Sequence, residues 1–128
     1  METKKGKTTA EKSTEMSKRV RMMVKGMAHF TGGGLTGNIP RILPDNCAAR
    51  LDWNAWQRAP LFDWLQKAGH VKDAEMHRTF NCGIGMIVVV AKENAAAALA
   101  HLEAKGETVW KIGEIVARDA RAEQVMID

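Results

Sequence analysis

Apolar positions along this chain come in short blocks cut by glycine, proline and polar residues. From Arg19, the residues Val20, Met22, Met23, Val24 and Met27 lead into Ala28, His29 and Phe30, and predict a short helix or strand ending near Phe30. The run Gly32-Gly33-Gly34 then forces a turn. Leu35 to Leu43 reads as a short helix opening at the glycines, limited by Pro40 and stopped by Pro44, Asp45 and Asn46. Cys47 to Trp53 alternates like a strand. Pro60 suits the first turn of a helix whose stripe is Leu61, Phe62, Trp64, Leu65 and Ala68, with Gly69 as its stop.

Asp73 to about Thr79 predicts a further short helix. Gly83 to Ala91 (GIGMIVVVA) is the strongest strand signal, almost continuously apolar and β-branched, and is expected to be the central buried strand. Lys92 to Lys105 is alanine-rich, starts near acids and ends before Gly106, which predicts a helix with the stripe Ala95, Leu99 and Leu102. Thr108 to Ala117 and Gln124 to Ile127 read as strands connected through the polar ARDARAE stretch. This order of elements predicts an α+β domain, a mixed sheet with helices packed on it.

Composition adjusts the picture at the N-terminal end. Residues 1 to about 15 carry almost no large apolar side chain and cannot bury enough surface to offset chain entropy, so residues 1–18 are expected to be a disordered basic tail or leader and 19–128 the single compact domain. The net charge of +4 is concentrated there. Residues 1–25 hold eight of the nineteen Lys and Arg and three of the fifteen acids, which leaves eleven basic and twelve acidic residues, a net −1, for residues 26–128. With three Phe, no Tyr and its four Trp in apolar surroundings, the globular part offers no stacking platform for bases, so no nucleic-acid partner is expected. No window of about 20 apolar residues and no signal peptide is present, which points away from a membrane and toward the cytoplasm. Cys47 and Cys82 have no metal or redox spacing and are expected to be reduced, with Cys82 as small core filler and not a nucleophile.

Two polar, glycine-containing segments are candidates for chemistry. The first is His29-Phe30-Thr31-Gly32-Gly33-Gly34-Leu35, where backbone amides can approach a phosphate unobstructed; read alone, a glycine run is more often simply a tight turn. Asn38 and Arg41 follow it, the first suited to a sugar or amide group and the second to a phosphate in a fork, against the plainer reading of Arg41 as a solvated side chain. The second segment runs from Arg78 to Gly85, where Asn81 either meets a ligand or caps a turn. His70, His77 and His101 share no metal spacing and are assigned to surface or packing roles, and no metal ligand is assigned. Trp53, Trp56 and Trp64 read as core.

The strings VKGMAHFTGGGLTGNIPRILPDN, APLFDWLQKAG, MHRTFNCGIGMIVVV and GETVWKIGEIV occur in this order over about residues 24–128. Together they resemble the C-terminal domain of the aminoimidazole ribonucleotide synthetases, or phosphoribosylformylglycinamidine cyclo-ligases. That resemblance implies a layered, partly ferredoxin-like fold and an ATP-dependent ring closure of formylglycinamidine ribonucleotide, with ATP and Mg²⁺ held mainly by an N-terminal domain that this sequence lacks. It also implies an active site between the two domains and a homo-oligomer. On this basis Thr31, Gly32, Gly33, Gly34, Leu35, Asn38 and Arg41 are expected to bind the substrate phosphate, with His29 and Asn81 as catalytic polar residues. The fragment alone is expected to be inactive. Alternatives are a stand-alone phosphate-binding or regulatory module, or a related ATP-dependent enzyme of the amidotransferase, selenophosphate synthetase or thiamine-phosphate kinase groups.

Overall fold

The computed structural model describes residues 10, 15, 18, 19 and 21–128. The expected tail, residues 1–18, lies almost wholly outside them. The described chain forms two compact units, one of Gly26–Val89 with Trp110–Asp128, the other of Val90–Val109 with the described residues up to Lys25.

Strand β1 (Val24–His29) pairs with β3 (Met86–Val90), and in the larger unit β2 (Cys47–Leu51) lies between β4 (Gly113–Ala117) and β5 (Val125–Ile127). β2 runs antiparallel to β4, from Cys47 opposite Ala117 to Leu51 opposite Gly113, and parallel to β5, with Ala49 opposite Val125. The second sheet is therefore mixed, and with helices packed beside it the class is α+β. β2 earns its central place by its side chains: Ala48, Ala49 and Leu51 are buried, and the exposed Arg50 pairs with Glu114 directly across the ladder.

Helix α1 (Gly34–Asn38) passes into a 3-10 turn at Ile39–Ile42, since Pro40 has no N–H to continue an α-helical ladder. Helix α2 (Pro60–Gly69) starts on a proline, carries Asp63 in its first turn and Lys67 in its last. Its stop differs from the expectation. Gly69 is still helical and His70 takes the left-handed conformation (φ 51°), with Val71 N–H donating to Gln66 O at 2.9 Å. This closes the helix in a Schellman motif without a glycine at the left-handed position. Helix α3 (Asp73–Thr79) has Asp73 and Glu75 at its start and buries Met76 and His77.

In the smaller unit, a 3-10 turn at Lys92–Asn94 opens helix α4 (Ala95–Ala104). Its inward stripe is Ala95, Ala98, Leu99 and Leu102, with Ala98 the buried member.

Four further expectations are corrected. Gly83–Ala91 is not a central buried strand: β3 covers only Met86–Val90, pairs with β1 alone and is half-buried, because an apolar run demands cover on both faces without specifying the strands that give it. The strand expected from Thr108 begins only at Gly113, and that expected to reach Trp53 ends at Leu51. Trp64 is 63% exposed, not core, because α2 turns Phe62 and Leu65 inward and leaves Leu61, Trp64 and Ala68 exposed.

The core of the larger unit is built round Leu35, Ile39, Met76 and Cys82, whose side chains are fully buried. Burial of each of the three larger chains contributes about 1.5–3 kcal/mol. All four lie in or next to the two loop segments singled out for chemistry, so the core seats those loops from beneath.

Candidate functional site

β1 delivers His29 to its exposed end, and Phe30 turns inward as its N–H donates to Gly85 O at 3.0 Å. That bond ties the glycine-rich loop to the loop before β3. Thr31 and Gly32 are exposed, and Gly33 and Gly34 both adopt positive φ, 101° and 57°. Gly34 sits so tightly that a Cβ there would lie 2.3 Å from His77 O and 2.5 Å from Phe80 O. The glycine run is thus both a turn and the place where two loops meet.

Asn38 braces the turn from inside. Its buried side-chain amide donates to Gly34 O at 2.7 Å, with longer contacts of 3.4 Å to Thr31 O and Gly32 O. Leu35 is buried completely, so any part it plays at a ligand falls to its backbone. Arg41 is exposed on the 3-10 turn, and no hydrogen bond or ion pair joins it or His29 to the loop. The structure therefore brings together Thr31–Asn38 and the second loop, and leaves His29 and Arg41 as exposed side chains at the ends of their elements.

In the second loop, Asn81 Oδ1 accepts the Gly83 N–H at 2.9 Å while its backbone O accepts the Ile84 N–H at 3.0 Å. Asn81 thus caps the turn with its carbonyl oxygen. Cys82 takes a left-handed φ of 53°, and its thiol donates to Met76 O at 3.5 Å. Burial pushes that thiol up to about 11, with Arg58 opposing, so it stays protonated and inert, as expected of core filler.

The sequence reading missed what holds this loop from behind. Trp56 Nε1 donates to Cys82 O at 2.9 Å, and Trp53 meets the rings of Trp56 and His77 edge-on at 5.2 and 4.2 Å. Arg58 stacks over Trp53 at 4.0 Å and donates to its carbonyl at 2.7 Å. His77 is buried, with Nε2 unpartnered, and its pKa is lowered first by desolvation and further by Arg58, against an opposing pull from Asp73. The only signal for this arrangement was three tryptophans within twelve positions (Trp53, Trp56, Trp64), which marked a cluster but not its members.

Among the described residues no group of three or more His, Cys, Asp or Glu is placed to hold a metal ion, and no helix is long and apolar enough to cross a membrane.

A mixed-sheet α+β domain with a glycine loop clamped on a second polar loop defines the class of protein. Residues 2–125 match the family model for AIR synthase related protein, C-terminal domain, and the chain belongs to that family. It is 60% identical over 105 residues to the phosphoribosylformylglycinamidine cyclo-ligase of Cupriavidus metallidurans, covering 81% of this chain and 30% of that protein. The protein of the same name from Burkholderia cenocepacia is 58% identical over 108 residues, 84% of this chain and 31% of the relative. The chain thus spans about 30% of the length of the curated relatives it matches.

Proposed function

We propose that this chain is the C-terminal part of a phosphoribosylformylglycinamidine cyclo-ligase and supplies the side of its active site that holds the ribose phosphate of formylglycinamidine ribonucleotide. The observation that carries the reading is the seat of Gly34 against His77 O and Phe80 O, which joins the two loops bearing the family-like strings. In this reading the backbone of the exposed Thr31 and Gly32 and the half-buried Gly33 approaches the phosphate, Gly34 and Leu35 anchor the loop, and Asn38 fixes its shape. Arg41 is the exposed cation that completes the phosphate's charge balance. His29 and Asn81 face the reacting part of the substrate.

The reaction so assigned is phosphorylation of the formyl oxygen by ATP, attack of a substrate nitrogen to close the imidazole ring, and loss of phosphate. In this reading ATP and Mg²⁺ are held mainly by the N-terminal domain, as the family resemblance implies. A cytoplasmic location, pairing with an N-terminal domain and self-association are parts of the same proposal, and the fragment alone is inactive.

The test is to mix the chain with a separately made N-terminal half of a cyclo-ligase and assay formation of aminoimidazole ribonucleotide. Activity is expected only with both halves, and Arg41→Ala is expected to raise KM more than it lowers kcat. A stable complex of the halves without activity would sink the reading. Binding of ribose 5-phosphate by the isolated chain, with no gain on adding the other half, would favour a stand-alone phosphate module instead.

A further inference from the structure

Helix α2 turns a divided face outward. At roughly 100° per residue, Phe62, Leu65 and Gln66 fall on the inward side, where all three are half-buried, while Leu61, Trp64 and Ala68 make an exposed apolar edge. Leu61 and Trp64 are 58% and 63% exposed, the largest such pair on any one element of the described chain. Alongside them on the same outward face lies a charged edge of Asp63 and Lys67, one turn apart and opposite in sign. Asp63 has Arg58 as a distant ion partner at 3.8 Å and keeps 58% of its side chain exposed.

These two edges are self-complementary under one symmetry. A two-fold axis perpendicular to two antiparallel copies of α2 keeps each edge on its own side while reversing the chain direction. Asp63 then faces Lys67 of the second copy, Leu61 faces Ala68, and Trp64 meets its equivalent at the centre. A parallel arrangement would lay the charged edge on the apolar one and give neither charge an opposite charge across the contact. We propose that α2 is a homotypic docking surface, occupied by α2 of a second copy of this chain in antiparallel, two-fold packing. A ten-residue helix is about 15 Å long, so the contact falls below the size of a standard stable interface and the dimer is weak.

Sedimentation velocity of the full 128-residue chain over a range of concentrations tests this. The apparent mass is expected to rise from 14.1 kDa toward twice that value, and the rise is expected to be lost in Trp64→Glu. Asp63→Lys and Lys67→Asp, made singly, each place like charges opposite one another and are expected to abolish the rise; the double exchange is expected to restore it. Since the double variant carries the same residues as the parent at exchanged positions, its recovery separates lost docking from lost folding. A chain that stays monomeric at every concentration overturns the proposal. So does association that the single charge reversals leave unchanged, because the contact then lies on another surface or α2 serves a different partner.

Discussion

Gly34 and Gly32 stand two positions apart and predict opposite outcomes. At Gly34 the atoms a Cβ would strike are main-chain carbonyls that cannot swing away, and φ is 57°. Gly34→Ala is therefore expected to destabilise the larger unit by about 2–4 kcal/mol, read as a fall in the urea midpoint. Around Gly32 nothing lies within 4 Å, and Gly32→Ala is expected to stay within about 0.5 kcal/mol of the parent. Equal losses at both positions would refute the clamped-loop geometry. His77 gives a second outcome at this scale. Because burial holds its native pKa below the 6.5 of the free side chain, the unfolded chain takes up a proton first as pH falls. Stability is accordingly full above about pH 6.5 and declines below it toward the lowered native pKa. Denaturation at pH 7.5 and pH 5.5 should reveal a smaller loss in His77→Phe than in the parent, the phenyl ring keeping the contact with Trp53 without a site for the proton.

Among the elements, β4 depends on its first residue. Gly113 faces Leu51 in the ladder, and a Cβ there would lie 2.1 Å from Arg50 O and 2.9 Å from Leu51 Cα. Gly113→Ala is expected to push β4 off β2 at that end, costing about 1–3 kcal/mol in thermal or urea unfolding and speeding amide exchange at Leu51 and Ile115. Unchanged exchange would show that the strand accommodates the methyl group. Elements with local chemical signals were legible in the sequence: the proline start of α2, the acids opening α3, the glycine run before α1 and the Pro40 that limits it. Those decided by distant partners were not. The run Met86–Val90 reads as a strand from its β-branched residues, but nothing in it says that its single partner is β1. In α2 apolar residues occupy both sides of the helix, so periodicity alone could not tell which side the core would take.

For the molecule as a whole, the candidate site was legible as two strings and illegible as one place. Thr31–Leu35 and Arg78–Gly85 are marked by glycine and polar residues, whereas their contact is made by the shape of a missing side chain at Gly34, which no local pattern encodes. The β4-β2-β5 order carries a consequence of another kind. Ala49 waits for Val125 and Cys47 for Ala117, partners that emerge from the ribosome some seventy residues after the strand they flank. Closing loops of that length before any ladder forms makes folding slow. Throughout that interval during synthesis, the nascent central strand at Cys47–Leu51 presents two bare edges, each open to pairing with another chain.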